Sequence, residues 1–113
     1  MEDPKPLVVR ATARLDVDAA LAWYAQQAGE ELMTRFVAAL EAAYTHIAAY
    51  PGSGSPRWSQ ALKVPGLRFW RLTRFPYLMF YVEKDDEVHV VRVLHGARDI
   101  PSTLAEADSD DPP

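Results

Sequence analysis

Cysteine is absent from this chain of 113 residues, and so is any apolar run long enough to cross a membrane. The first absence excludes disulfide bonds and thiolate metal sites, and it is compatible with a reducing compartment. The N-terminus is acidic and has no apolar segment, so neither a signal peptide nor a membrane anchor is indicated. We therefore predict a single cytoplasmic domain without membrane contact.

The motifs of metal and phosphate sites are also lacking. The three histidines, His46, His89 and His95, do not follow HExxH or another metal-ligand spacing. Gly52 and Gly54 follow a helical segment instead of joining a strand to a helix, so they do not indicate a phosphate-binding loop. We expect no metal and no cofactor. We also expect His46, on the polar side of its helix, to be solvated.

The formal net charge of −4 is unevenly distributed. Six of the 16 acidic residues lie in the two end segments, which leaves ten acids against 12 basic residues between them. The central part therefore has a charge of about +2, which is too small to predict direct binding of nucleic acid. The last stretch, AEADSDDPP, has the composition of a solvated, disordered tail.

Two helices are predicted in the N-terminal half, after a first strand at residues 7–13 (LVVRATA). Asp16 is placed to cap the first helix, with Asp18 in its first turn near the positive end of the helix dipole. Gly29 ends this helix, and the second helix runs from about Glu30 to Tyr50, where Pro51 stops it. Amphipathic helices joined by one glycine form an antiparallel hairpin and must pack their apolar sides on another element.

The C-terminal half contains three strand candidates, at 67–73 (LRFWRLT), 77–83 (YLMFYVE) and 88–95 (VHVVRVLH). The short connections between them favour an antiparallel meander. The order β-α-α-β-β-β predicts an α+β domain, with the helical hairpin packed on one face of a small, twisted, mainly antiparallel sheet. The middle candidate is apolar on both faces, so we expect it to be central. Its second face should then be covered by a partner or by the chain end.

Arginine supplies most of the positive charge in this half. Arg68, Arg71 and Arg74 recur every three residues, so on one strand Arg68 and Arg74 share a face and Arg71 points to the other. Together with nearby aromatic residues, such arginines could bind phosphates and stack on bases. The simpler interpretation is that they lie over a half-exposed sheet and form surface ion pairs.

The last strand candidate leads into a polar group of residues in HVVRVLHGARDI (89–100). His95 and Gly96 are followed almost directly by Arg98 and Asp99. We interpret this group as a strand exit at which Gly96 permits a turn that a residue with a side chain would resist. The turn would aim the Arg98 guanidinium outward to meet a carboxylate of a partner, unless it pairs with Asp99.

Taken together, these segments resemble the RelE/ParE superfamily of bacterial type II toxins. The resemblance covers roughly residues 6–105 and rests on the element order and on the stretches YP, PGLRFWRL, YLMFYV and VVRVLHGARDI. It implies an N-terminal extension at 1–6, a toxin domain at 7–105 and an acidic disordered tail at 106–113. It also implies a toxin-antitoxin system of the kind that serves plasmid stabilisation.

The superfamily has two branches with different chemistry. RelE-like members cut messenger RNA in the ribosome, whereas ParE-like members inhibit DNA gyrase and cleave nothing. RNA-cutting members have an arginine after the first tyrosine of the central strand and often a tyrosine in the C-terminal segment. Here Leu78 follows Tyr77, and Leu104 lies near the second position. Each proton-transfer group contributes about 10²–10⁴-fold to a rate, so the resemblance favours a ParE-like gyrase inhibitor that is not an enzyme.

The resemblance implies two partners, DNA gyrase and a cognate antitoxin, which we expect to be a ribbon-helix-helix protein of the ParD type. The expected target-binding residues are His95, Gly96, Arg98 and Asp99. The expected antitoxin-binding residues, which contribute surplus apolar surface, are Trp23, Tyr77, Phe80 and Tyr81. Two alternatives stay open: a non-toxic antitoxin-binding module, and a RelE-type endoribonuclease that uses Arg71, Arg98 and, as its base, His95.

Overall fold

The computed structural model describes residues 3–97 and Ile100. Arg98, Asp99, Leu104 and the predicted tail at 106–113 lie outside the described residues. The elements follow one another as β1 (Leu7–Val9), α1 (Ala11–Gln27), α2 (Glu30–Ala49), a 3₁₀ turn (Pro51–Ser53), β2 (Leu67–Arg71), β3 (Tyr77–Glu83) and β4 (Val88–His95).

The four strands form one mixed sheet in the order β1-β4-β3-β2. The pairs β2–β3 and β3–β4 are antiparallel, and β1 lies parallel to β4 with Leu7 opposite Val88. Tyr81 pairs with Val90 and Phe80 with Arg92, so β4 has a bulge between these pairs. The predicted α+β class, the element order and the central place of β3 are confirmed.

The start of α1 differs from the prediction. β1 ends at Val9, and α1 begins at Ala11, with Arg10 in extended backbone geometry as the residue that precedes it. The Arg10 N–H donates to the Val90 carbonyl and so completes the strand ladder just where the helix starts. Alanine is the best helix former, which explains why ATA joins the helix and not the strand. The predictions that Asp16 caps α1 and that Asp18 lies in its first turn are therefore wrong.

Asp16 has a different role, because it joins α1 to β4. β1 accompanies β4 only as far as Val90. Beyond that point the Asp16 carboxylate accepts the Val93 N–H at 2.9 Å and two N–H groups of the Arg92 guanidinium at 2.8 and 2.9 Å. A side chain of the helix thus replaces the missing strand neighbour, and the buried arginine is paired with a charge, as its burial demands.

The helical hairpin covers one face of the sheet. Gly29 joins the helices with φ of 91°, a left-handed conformation that glycine adopts without steric cost. From α2 a stripe at helical spacing enters the core, as predicted, and Tyr24 of α1 stacks on Phe36. The residues of this core that are less than 1% exposed are Ala13, Phe36, Ile47, Met79, Tyr81, Val88 and Val90.

The opposite face of the sheet is covered by the connection between the 3₁₀ turn and β2. Trp58, Leu62 and Val64 pack on a second apolar cluster, which also includes Ile100. Ser55 forms a two-way backbone pair with Phe69 and so covers part of the outer edge of β2. The buried members of the cluster are Leu67, Leu78, Phe80, Leu94 and Ile100.

His46 lies against the sheet instead of in solvent. Its ring stacks on Trp70 with centroids 3.9 Å apart, and Nε2 forms a 2.9 Å hydrogen bond with the Ser53 hydroxyl. The expectation that His46 is solvated is therefore wrong. The reason is that β2, packed beside α2, brings a large aromatic ring to the helix face that the apolar stripe leaves free.

Candidate functional site

The end of β4 is the centre of the candidate site. His95 is the last residue of this strand and Gly96 follows it, and both were predicted to bind the target. His95 is half-buried, while Gly96 and Ala97 are exposed. Backbone bonds hold this end in place: Gly96 N–H donates to the Pro76 carbonyl at 2.8 Å. The other two predicted target-binding residues, Arg98 and Asp99, lie outside the described residues.

Gly96 is not required by the backbone. Its φ lies outside the left-handed range, and a β-carbon added there would meet only the Pro76 carbonyl oxygen at 3.6 Å, an ordinary contact distance. The prediction that this position needs a glycine to turn is therefore wrong. The turn is instead held by the hydrogen bond from the Gly96 N–H to Pro76 and by that from the Ala97 N–H to the His95 ring, which any residue but proline at position 96 could allow.

A cleft of about 650 Å³ opens on the second face of the sheet, beside the end of β4. We call it the basic cleft, since its charged lining among the described residues is Arg57 and Arg71 and includes no acid. Its lining consists of Arg57, Trp58, Phe69, Arg71, Pro76, Leu78, His95, Gly96, Ala97 and Ile100.

The two arginines of the basic cleft are exposed and not neutralised by the part of the chain that the structure describes. Arg71 forms no hydrogen bond or ion pair with a described residue. The Arg57 guanidinium lies 4.9 Å from the centre of the Trp58 ring, a cation–π arrangement. An anionic group that enters the cleft would therefore meet two positive charges beside aromatic surface.

Arg68 and Arg74 do not share a strand face as predicted. Arg68 lies in β2 and donates to the Gly54 carbonyl at 2.8 Å, which makes it a structural residue. β2 ends at Arg71, and Arg74 lies in the following turn with φ of 67°. Strand periodicity does not extend through a turn, so it could not place Arg74.

The geometry of His95 bears on its use as a base. Its Nδ1 accepts the Ala97 N–H at 3.0 Å, and its ring meets Tyr77 edge to face with centroids 5.2 Å apart. In the neutral ring the proton is therefore on Nε2. The Nε2–H can donate a hydrogen bond, and the basic lone pair of the ring is on Nδ1, where the Ala97 N–H already engages it. Arg71 and His95 line the same cleft, yet this arrangement does not favour base catalysis.

A second, smaller groove lies on the helix side of the same strand end. We call it the α1 groove; its lining consists of Asp16, Ala19, Ala20, Trp23, Tyr77, Val93, Leu94 and His95. Trp23 is 55% exposed in this groove. Exposure of so large an apolar side chain to water is unfavourable, and such surface usually marks an interaction site. The structure thus brings two of the predicted antitoxin-binding residues, Trp23 and Tyr77, next to the predicted target-binding residue His95.

The other two predicted antitoxin-binding residues, Phe80 and Tyr81, lie in the interior with 0% exposure. Phe80 belongs to the cluster under the connection, and the Tyr81 hydroxyl donates to the Pro51 carbonyl and accepts the Gly54 N–H. Burial raises the pKa of the Tyr81 phenol, although the Gly54 bond and the charge of Arg68 oppose this shift. Direct contact between these two side chains and a partner does not fit their burial.

A third groove, the hairpin groove, separates the helices from the β2–β3 turn. Its lining consists of Tyr24, Leu32, Arg35, Ala38, Ala39, Thr73, Arg74, Phe75 and Pro76. It contains two arginines, but Arg35 forms an ion pair with Glu31 at 2.9 Å. This groove is therefore less positive than the basic cleft.

Sequence reasoning missed the contribution of Arg57, although it counted Trp58 among the aromatic residues near the arginines. They lie in an irregular connection, where no periodicity indicates which side chains return to the sheet. The local signal was an arginine next to a tryptophan after Pro56, in a loop otherwise rich in small residues. Among the residues 3–97 and 100 no group of three or more possible metal ligands occurs, and no helix is both long and apolar enough to span a bilayer.

The helical hairpin on one face of a four-stranded mixed sheet defines the chain as a small α+β domain, with a basic cleft at the end of its last strand. A family model described as the ParE toxin of the type II toxin-antitoxin system parDE matches residues 7–100. The chain belongs to this ParE toxin family. The family implies an antitoxin partner.

A solved structure supports the same assignment. The chain is similar to a protein of the chromosomal ParDE toxin-antitoxin system from P. aeruginosa, with 25% sequence identity and a TM-score of 0.67. The match covers 80% of this chain and 95% of that one. A search among curated proteins gives no significant match.

Proposed function

We propose that this ParE-family toxin acts in the bacterial cytoplasm by binding and inhibiting DNA gyrase, and that a cognate antitoxin neutralises it. Membership of the family supports a role in plasmid or chromosome maintenance. The observation that carries the choice of mechanism is Leu78. It lines the basic cleft where RNA-cutting relatives have an arginine, and it is 6% exposed among apolar neighbours.

The proposed target surface is the end of β4 and the residues that follow it. Gly96 and Ala97 form an exposed corner next to the half-buried His95, held by the bond to Pro76 and by the bond from Ala97 to the His95 ring. Arg98 and Asp99 follow in sequence and complete the proposed set. A guanidinium suits this role because its planar fork binds a carboxylate through two hydrogen bonds.

The proposed antitoxin surface is the α1 groove. Trp23 supplies exposed aromatic area, and Tyr77 and His95 line the same groove. Large aromatic side chains of this kind contribute most to the affinity of protein interfaces. We propose a ribbon-helix-helix antitoxin of the ParD type, whose C-terminal segment would pack here.

A supercoiling assay tests the proposed target. Purified gyrase and relaxed plasmid are mixed with increasing amounts of the protein, and the assay is repeated after adding the cognate antitoxin. Dose-dependent inhibition that the antitoxin reverses is the expected result. Full gyrase activity at every dose, with a protein that unfolds cooperatively, would exclude gyrase as the target.

The endoribonuclease alternative has one observation in its favour, since Arg71 and His95 line the same cleft. Primer extension on ribosome-bound messages after brief induction distinguishes it. Cuts placed by codon that disappear in Arg71→Ala would establish the RelE-type activity. If neither gyrase inhibition nor cleavage is found and the antitoxin still binds, the protein is a non-toxic binding module.

A further inference from the structure

The basic cleft has a charge that the described part of the chain leaves uncompensated. Arg57 and Arg71 are exposed on its walls, and no acidic side chain lines it among the residues described. By contrast, other cations of the fold have partners within it: Arg92 pairs with Asp16, and Arg35 with Glu31. An acidic occupant of this cleft would therefore meet two positive charges and no acidic side chain of the described lining.

The sequence supplies such an occupant next to the cleft. Ile100 lies in the cleft wall, buried in the second apolar cluster, and 13 residues follow it. These residues contain four acids, Glu106, Asp108, Asp110 and Asp111, and no basic residue. An extended chain covers about 3.3–3.6 Å per residue, so the first acid can reach any point within roughly 20 Å of Ile100.

We propose that the acidic C-terminal segment, residues 106–113, docks on the basic cleft of the same molecule. Its carboxylates would pair with the guanidinium groups of Arg57 and Arg71. Each exposed pair is weak by itself, but a short tether holds the segment at an effective concentration on the order of millimolar. The contact is consequently dynamic and sensitive to salt, and it does not depend on the identity of the toxin's target.

If the segment docks there, the segment and any anionic partner would compete for the basic cleft. A partner that presents carboxylates to Arg71 must first displace the segment, so the segment acts as a built-in competitor. The competition raises the apparent Kd of any anionic ligand of the cleft by a factor equal to the inverse of the undocked fraction. It leaves the α1 groove open, because that groove has a different lining except for His95 and lies on the helix side.

Paramagnetic relaxation measures the contact directly. The chain has no cysteine, so Ser109→Cys provides a single attachment point for a nitroxide label. In the full chain at low salt, amide signals of Arg57, Trp58, Arg71 and Ala97 should broaden more than those of Arg35 and Arg74 in the hairpin groove. At about 1 M salt, where the Debye length is about 3 Å, the selective broadening should disappear.

Three further samples make the result decisive. A neutral segment, Glu106→Gln/Asp108→Asn/Asp110→Asn/Asp111→Asn, should abolish the broadening at low salt, and so should Arg57→Gln/Arg71→Gln. Isotope-labelled protein without the nitroxide, mixed with unlabelled spin-labelled protein, should show no broadening. Broadening that is absent at the cleft, equal at the hairpin groove, unchanged by the neutral segment or present in the mixed sample would overturn intramolecular docking.

Discussion

Asp16 and Arg92 form a bidentate ion pair across 76 residues of sequence, with nitrogen–oxygen distances of 2.8 and 2.9 Å. Their side chains are only 13% and 10% exposed, respectively. The same carboxylate accepts a hydrogen bond from the Val93 N–H. One residue of α1 thus satisfies the edge of β4 beyond the end of β1. This contact fixes the helix next to the strand end from which the proposed target surface extends.

Removal of the Asp16 carboxylate should destabilise the fold strongly. Asp16→Ala leaves the buried Arg92 guanidinium without this charge, and breaking a buried pair costs about 3–5 kcal/mol. Asp18→Ala, at an exposed position on the same helix, should change the free energy of unfolding by no more than about 0.5 kcal/mol. Urea denaturation of both variants measures the difference. Equal stabilities would contradict the structural role of the pair.

Gly54 and Gly52 should respond in opposite ways to a methyl group. A β-carbon at Gly54 would collide with the Tyr81 hydroxyl and come within 2.8 Å of the Phe69 carbonyl oxygen. We expect Gly54→Ala to lose about 1–3 kcal/mol, as overpacking does. At Gly52 nothing lies within 4 Å, so Gly52→Ala should be neutral or gain up to about 1 kcal/mol through the unfolded state. Thermal unfolding monitored by circular dichroism compares the two, and similar melting temperatures would refute the clash.

Alkaline pH should destabilise the protein through buried tyrosines. Burial raises the pKa of Tyr24, Tyr44 and Tyr81 above the ordinary value of about 10. As pH rises past about 10, the unfolded chain releases these protons while the folded chain keeps them, so the free energy of unfolding falls. Below that pH the contribution is fully present.

Tyr44→Phe isolates this effect, because Tyr44 makes no hydrogen bond with a described residue and its ring packing is retained. Denaturant titrations at several pH values between about 8 and 11 should show a shallower alkaline loss in this variant than in the parent. Parallel curves for the two proteins would mean that the Tyr44 phenol does not contribute to the pH dependence.

Trp23→Ala should weaken antitoxin binding more than it weakens the fold. The side chain is 55% exposed, and truncation of a central aromatic residue in an interface costs about 2 kcal/mol or more, roughly thirtyfold in affinity. Leu15→Ala is the matched control, since Leu15 is a 68% exposed apolar residue of the same helix outside the α1 groove. Calorimetric titration of each variant with the cognate antitoxin measures the two affinities. Equal affinities for the two variants would move the interface elsewhere.

Arg98→Ala should reduce gyrase inhibition about ten- to a hundredfold, the effect of losing a charge-assisted hydrogen bond worth about 1.5–3 kcal/mol. Arg74→Ala serves as the control, because Arg74 lies in an exposed turn and should contribute at most about 1 kcal/mol. Arg68 is unsuitable, since its bond to Gly54 supports the fold. Supercoiling and growth arrest are scored side by side. An Arg98→Ala protein as toxic as the parent would place the functional surface elsewhere.

The strands of the C-terminal half could be predicted from the sequence because short turns bound their apolar runs. The expected strands at 77–83 and 88–95 have the same limits as β3 and β4. The start of α1 could not be predicted from the sequence, because alanine and β-branched residues are mixed there. The contact that decides it, between the Arg10 N–H and the Val90 carbonyl, joins residues distant in sequence. Long-range contacts of this kind leave no local pattern.

The candidate site was predictable only in part, for a similar reason. Strand periodicity placed His95 at the end of β4, but it could not show that Phe80 and Tyr81 are covered by the chain's own connection. Both faces of β3 are apolar, and this pattern is the same whether a partner or an internal loop covers them. The basic cleft was missed because Arg57 approaches Arg71 through an irregular loop.

The parallel pairing of β1 with β4 determines how late in synthesis the sheet can be completed. The meander of β2, β3 and β4 needs only neighbouring segments, whereas Leu7 must wait for Val88 before it has a place in the sheet. Contacts between segments so distant in sequence form late, because closing the long loop has an entropic cost that only the completed pairing offsets. During synthesis α1 can pack on α2, but the N-terminal strand has no edge to pair with until β4 has been made. A toxin with this topology completes its sheet only after the ribosome has read the codons of β4.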